Sequence, residues 1–178
     1  MKTRCSWLNL DEAIYVKYHD EEWGVPCHND NKLFEMLILE SFQAGLSWLT
    51  ILKKRENFKL AFDGFDVLKV AKYDDKKVEE LILDEGIIRH KGKINATINN
   101  ANVFIEIQKE FESFDNYIWS FTDNKIIKAE YKKESDLSKK ISEDLKKRGM
   151  KFVGPTIIYS YLESIGIIDN HEKTCFKY

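Results

Sequence analysis

Apolar positions recur at helical spacing along most of the chain, and the period-two alternation of strands is scarce. The most apolar stretch, 31–54, opens after Asp30, a good helix cap, and Gly45 is expected to divide it into two helices with Gln43-Ala44-Gly45 at the joint. Upstream, Asp11 is placed to cap a short helix on which Tyr15, Tyr18 and His19 share one face. Downstream, 66–73 and 75–84 read as short helices, the second turning Val78, Leu81 and Ile82 inward. A longer helix is predicted over about 91–111, with Ile94, Ile98, Ala101 and Ile105 along it. Residues 124–131 alternate weakly and read as an irregular connection. Near the end, Ser135 can cap a helix on which Leu137, Ile141 and Leu145 recur every fourth residue, ending in Lys146-Lys147-Arg148 and Gly149. A hairpin over 150–154 then brings Pro155 to the first position of an apolar helix running to Ser164. No strand is needed, so the predicted fold class is all-α.

Composition narrows the setting. The 178 residues carry 43% hydrophobic side chains, with four Trp, eight Tyr and eleven Phe, enough for a buried core. Length alone allows one domain or two small ones; with no repeat or linker, a single domain over 1–178 is expected. No apolar run is long enough to span a bilayer and the first thirty residues lack a signal-peptide core, so no membrane partner and a cytoplasmic location are expected. A net charge of −2 is not that of a protein coating nucleic acid without specificity. Local basic clusters remain: Lys53-Lys54-Arg55, Arg89-His90-Lys91 with Lys93, and Lys146-Lys147-Arg148 with Lys151.

Three features carry chemistry. Cys5 and His19 near the start, with His171 and Cys175 near the finish, offer the two sulfur and two nitrogen ligands of a closed structural zinc site that would tie the ends together. Cys27-His28 and His90 are competing ligands, and a free cysteine is often only a small buried hydrophobe. Glu40 falls on the stripe of Leu33, Met36 and Leu37, where a core residue belongs; it either pairs structurally or marks a site. Trp7, Tyr15, Tyr18, Trp23 and Trp48 gather around it in sequence, as core or as walls for a flat, electron-poor ring. Lastly, Val153-Gly154-Pro155 opens a helix whose N-terminus can receive a phosphate beside the third basic cluster. An ordinary helical hairpin with solvated lysines is the alternative.

Longer blocks point further. Tyr18-His19-Asp20, Glu22-Trp23-Gly24-Val25-Pro26, Leu33-Phe34-Glu35-Met36 and Glu40-Ser41-Phe42-Gln43-Ala44-Gly45-Leu46-Ser47-Trp48 closely resemble the DNA-3-methyladenine glycosylase I family. So do Leu52-Lys53-Lys54-Arg55-Glu56, the run from Gly86 to Ile94, and Lys151-Phe152-Val153-Gly154, and the likeness extends from Cys5 to Cys175. The resemblance implies a helix-hairpin-helix enzyme that hydrolyses the N-glycosidic bond of 3-methyladenine in double-stranded alkylated DNA, releasing the free base. It implies one structural Zn2+ on Cys5, His19, His171 and Cys175, with Glu40 bonding the extruded base as the catalytic carboxylate. Trp48, Tyr15, Tyr18 and Trp7 would line the base pocket. Lys151, Val153 and Gly154 would hold DNA phosphates, and Gln43, Gly45 and Leu46 would face the gap left by the flipped nucleotide. Two departures stand out: Ser6 where the family often has glycine, and Asp169-Asn170-His171 where Asn-Asp-His is common. Asp169 lies where other helix-hairpin-helix glycosylases keep a catalytic aspartate, which this family lacks; it is read as a helix-end or solvent residue.

The chemistry so implied is undemanding for the protein. A base methylated at N3 is already cationic and leaves readily, so the enzyme must select, position and deliver water. No motif positions a lysine as a Schiff-base nucleophile, so a monofunctional enzyme is expected; a monomer is expected as well. A zinc-stapled DNA-binding module without activity, and an enzyme acting on a free nucleoside, are the rival readings.

Overall fold

The computed structural model describes residues 2–178 and is mostly helical. The helices are α1 (Ala13–Glu21), α2 (Asp30–Gln43), α3 (Trp48–Ala61), α4 (Val67–Val70), α5 (Asp75–Leu83), α6 (Lys91–Phe111), α7 (Phe114–Ser120), α8 (Asp136–Lys147) and α9 (Pro155–Ser164). Two short strands, β1 (Ile127–Lys128) and β2 (Ile168–Asp169), pair in parallel. The expectation of no strand is therefore corrected at this one point. The weak alternation at 124–131 reflects a real pairing, sealed by Ile127 N–H on the Ile167 carbonyl (2.8 Å) and Ala129 N–H on that of Asp169 (3.0 Å).

α2 runs through the middle of the core, with α3, α6, α7 and α9 packed against it. Every residue from Leu33 to Phe42 is buried, so the helix has no solvent face in that span. Glu40 is thus enclosed by position, whichever stripe it occupies. Gly45, at φ +82°, ends α2 as expected and lets the chain turn sharply into α3. Asn29, not Asp30, caps α2, accepting from Lys32 N–H. Asp30 turns instead to α7, an element too short to give a periodic signal, and accepts from Phe114 N–H (2.9 Å) and Asp115 N–H (2.8 Å). Asp11 does not cap α1 either. Its own N–H is bound to the Asn9 side chain in a preceding turn, and Glu12 occupies the cap position without a side-chain bond.

The C-terminal hairpin follows its sequence signals closely. Ser135 and Ser138 form a reciprocal capping box on α8, Gly149 takes φ +103°, and Pro155 begins α9. Beyond α9, Gly166 sits at φ +74° where a Cβ would stand 2.3 Å from the Val25 backbone carbon. That close approach places the 22–27 turn against the end of α9, sealed by Gly24 N–H on the Glu163 carbonyl.

Candidate functional site

A cavity of about 440 Å³ opens beside α2, with walls from α1 (Tyr15, Tyr18), the end of α2 (Glu40, Gln43), the first residue of α3 (Trp48) and α9 (Ser160, Glu163). Trp7 and Trp23 complete its aromatic side. The rings contact one another: Tyr18 and Trp48 at 5.4 Å, Trp7 and Tyr15 at 5.4 Å, Trp7 and Trp23 at 4.9 Å between centroids. Glu40 is 3% exposed, and its Oε2 is buried with no hydrogen-bond partner. Burial, reinforced by nearby Glu163, pushes its carboxyl well above the usual range. The Trp48 indole N–H is likewise buried and unpartnered. A folded protein rarely leaves an acceptor and a donor orphaned in one cavity unless a ligand answers them.

The end of α2 is fixed by a residue whose part the sequence did not disclose. Lys93, part of a local basic cluster in the sequence, is buried, and its Nζ donates to the carbonyls of Phe42 (2.8 Å) and Ala44 (2.7 Å). It satisfies the helix C-terminus and steadies the turn that follows. In that turn, Gln43 reaches the cavity wall, Gly45 has open space beside it, and Leu46 is exposed.

The termini meet behind the aromatic wall. Ligand atoms of Cys5, His19 and Cys175 lie within 4.8 Å of one another, all three residues buried. His171 stands outside that trio, its ring 5.3 Å from that of His19, and its buried Nε2 has no partner. Each histidine has its Nδ1 held by a carboxylate, His19 by Asp20 (2.9 Å) and His171 by Asp169 (2.7 Å), so both can offer Nε2. That is the support a metal-binding imidazole needs, and the donor set of two sulfurs and two nitrogens fits zinc. Asp169 is therefore not a free solvent residue. Burial alone would raise its carboxyl, but the bonds from His171 outweigh that and hold it below the ordinary value. The segment from His171 to Cys175 folds as turns, with Cys175 N–H donating to the Glu172 carbonyl. Gly24, at φ +73°, matters here because a Cβ would lie 2.6 Å from the His171 ring. The competing ligands go elsewhere: His28 binds Asp115, and His90 caps α6.

At the hairpin, Lys151 is exposed while its backbone is clamped by Asn100, whose side chain bonds both its N–H and its carbonyl. Val153 has its side chain in the core and its carbonyl bound by Ser142, so this residue has little but its N–H to offer an outside partner. Gly154 is open, and the N-terminus of α9 has no side-chain cap. Arg148 does not join the lysines. It is committed to Glu110 (2.6 Å) and Asp144 (2.7 Å). Arg55 is similarly absorbed by Glu35 and Glu22.

The family model for methyladenine glycosylase matches residues 7–178. The chain belongs to the methyladenine glycosylase family. It is 44% identical to DNA-3-methyladenine glycosylase 1 of Escherichia coli (strain K12), over 98% of this chain and 96% of that protein. The DNA-3-methyladenine glycosylase of Haemophilus influenzae is 40% identical, over 98% of this chain and 97% of its own length. Among solved structures, one of 3-methyladenine DNA glycosylase I superposes with a TM-score of 0.94 at 42% identity, covering 98% of both chains. A Staphylococcus aureus structure described as the basis of 3-methyladenine recognition gives 0.90 at 37% identity, covering 93% of this chain and 91% of that one.

The aromatic group and Glu40 were thus foreseeable, and they do share one cavity. Glu163, Ser160, Tyr131, Asn170 and Glu172, which also line it, were missed. A signal for Glu163 existed: it is the lone charged residue in the apolar helix α9, the argument that singled out Glu40.

Proposed function

We propose that the chain is a DNA-3-methyladenine glycosylase acting in base-excision repair, hydrolysing the N-glycosidic bond of 3-methyladenine and leaving an abasic site. The observation that carries this is the pairing of an orphaned carboxylate oxygen on Glu40 with an orphaned Trp48 N–H inside one aromatic-walled cavity.

The target nucleotide must leave the duplex, at a cost of roughly a few kcal/mol in stacking and pairing. Gly45 and Leu46 occupy an exposed turn suited to the vacated space, with Leu46 as an apolar side chain and Gln43 between that turn and the cavity. Once inside, a cationic ring gains from the faces of Trp48, Tyr15, Tyr18 and Trp7. It also draws the Glu40 carboxyl into its charged form, which burial and nearby Glu163 oppose. Glu40 then accepts from the exocyclic amine. A base without that donor leaves a buried acceptor unmatched, a penalty of about 1–3 kcal/mol. Because N3 methylation supplies the leaving-group activation, Glu40 acts by recognition and charge, with no proton transfer to the base required. Among the described residues no lysine lines the cavity, which supports a monofunctional enzyme without strand cleavage.

The helix-hairpin-helix reading rests on α8, the 148–154 hairpin and the uncapped start of α9. Lys151, Gly154 and the Val153 backbone would meet DNA phosphates there. One Zn2+ on Cys5, His19, His171 and Cys175 would supply a structural bond between the termini, and the Asp20 and Asp169 carboxylates would orient its histidines. A single hydrophobic cluster running from Cys5 to Cys175 supports one domain. No helix among the described residues is long and apolar enough to cross a membrane.

Incubation with alkylated DNA tests the proposal. Release of 3-methyladenine with formation of abasic sites is the expected result. Tight binding without release would favour a binding module, and release only from the free nucleoside would favour the third reading.

A further inference from the structure

The longest helix, α6, holds both of the elements that the proposed function turns toward DNA. Near its start, Lys93 Nζ ties down the end of α2 and the turn that carries Gly45 and Leu46. Seven residues on, Asn100 is buried and clamps Lys151, accepting from its N–H (2.9 Å) and donating to its carbonyl (2.8 Å). A seven-residue step is close to two full turns, so both side chains leave one face of α6, about 10 Å apart along its axis. Asn99 adds a bond to the Gly149 carbonyl (2.8 Å) and one to Asn100 Oδ1 (3.2 Å). The helix itself is anchored in the core by Ile94, Ala101, Phe104 and Ile107.

The hairpin needs this support. Phe152 sits at φ +56°, in the left-handed region, and a residue with a Cβ stays there only where its neighbours over-determine it. Bonds on both sides do so: Asn100 fixes Lys151, and Ser142 from α8 donates to the Val153 carbonyl (2.6 Å). The Phe152 ring also meets, edge to face, the ring of His90, the residue that caps α6.

We propose that Asn100 is a positioning residue for base extrusion: through the Lys151 backbone it holds the phosphate-gripping hairpin at a fixed distance from the Gly45-Leu46 turn, with α6 as the rigid spacer. The inference rests on the reading of those two elements as DNA contacts. A duplex gripped at the hairpin is then presented to the turn in one register. A hairpin free to drift still meets phosphates but loses that register, and the target nucleotide spends less time outside the helix.

The test follows the whole protein in two assays: single-turnover excision from duplex DNA carrying 3-methyladenine, at saturating enzyme, and binding of free 3-methyladenine by tryptophan fluorescence. Asn100→Ala should slow excision about tenfold and change free-base affinity by less than about twofold. Placed on a Lys151→Ala background, the same substitution should cost less than about threefold, because part of the grip it positions is already gone. Asn99→Ala, at a partly exposed position with one bond to the hairpin, should show a smaller loss of the same kind, and it carries the test if Asn100→Ala fails to fold. A loss that persists in full on the Lys151→Ala background, or equal losses in excision and free-base binding, would overturn the inference and assign Asn100 to stability alone. If Lys151→Ala itself binds duplex and excises like the unaltered protein, the reading of the hairpin as a DNA contact fails instead.

Discussion

At the scale of single residues, the protein keeps polar groups where packing alone would exclude them. Glu40→Gln retains size and one acceptor but loses the charge, and Trp48→Ala removes both a wall and an N–H donor. Each should lower single-turnover excision by about 100-fold or more with duplex affinity nearly unchanged, and Glu40→Gln should melt no lower than the unaltered protein, since the raised carboxyl costs stability at neutral pH. Equal losses in stability and excision would show these to be ordinary core residues. Glu163 gives a pH signature in stability. Its carboxyl is raised to about 7 in the fold from an ordinary value of 4.5. Below that ordinary value both folded and unfolded states are protonated; above it the unfolded chain ionises first, and stability falls until the folded group ionises too. Glu163→Gln should therefore gain on the unaltered protein between pH 5 and pH 8, by on the order of 1–3 kcal/mol in chemical denaturation. A pH-independent difference would contradict this. Glu40 was legible because a charge interrupted an apolar stripe, whereas Lys93 was not. Its charge lies in a run of basic residues, and only the three-dimensional path of α2 reveals the two carbonyls it serves.

At the scale of elements, the long periodic helices could be read directly: the bounds of α6 and the cap of α8 agree with their signals. The failures were local and had tertiary causes. Asp30 looked like the cap of its own helix but serves α7, a partner remote in sequence. β1 and β2 are two residues each, too short for the weak alternation at 124–131 to be told from a loop, and they form because the segments after α7 and α9 lie side by side. The joint between α2 and α3 offers a test at this scale. Lys93→Met should leave the carbonyls of Phe42 and Ala44 short of donors, at about 1–3 kcal/mol, and loosen the turn bearing Gly45 and Leu46. Excision from duplex DNA should fall more than binding of free 3-methyladenine, with Lys93→Arg restoring part of the loss. Parallel losses in both would assign Lys93 to stability alone.

At the scale of the molecule, both ends of the chain reach the cavity wall, through Trp7 and Glu172. Cys175→Ser should lower zinc content and melting temperature together; a metal-free preparation melting at the normal temperature would refute a structural metal. Lys151→Glu should weaken binding to all duplexes alike and reduce the slope of log affinity against log salt by about one or more. An unchanged slope would place the phosphate contact elsewhere. The grouping of Cys5, His19 and Cys175 was legible as two residue types recurring at the two ends of the chain. The role of Asp169 was not, because a carboxylate two residues before a histidine says nothing about which way the ring faces.

Phe176 N–H donates to the Thr3 carbonyl at 2.8 Å, so the first and last stretches of backbone run side by side. A short glycine linker could close the chain into a ring, and new ends could be cut at the exposed residues 123–126, none of which lines the cavity. In such a rewired protein both halves of the clasp would be neighbours along the backbone. The contribution of the proposed ion could then be separated from the mere entropy of holding two loose tails together.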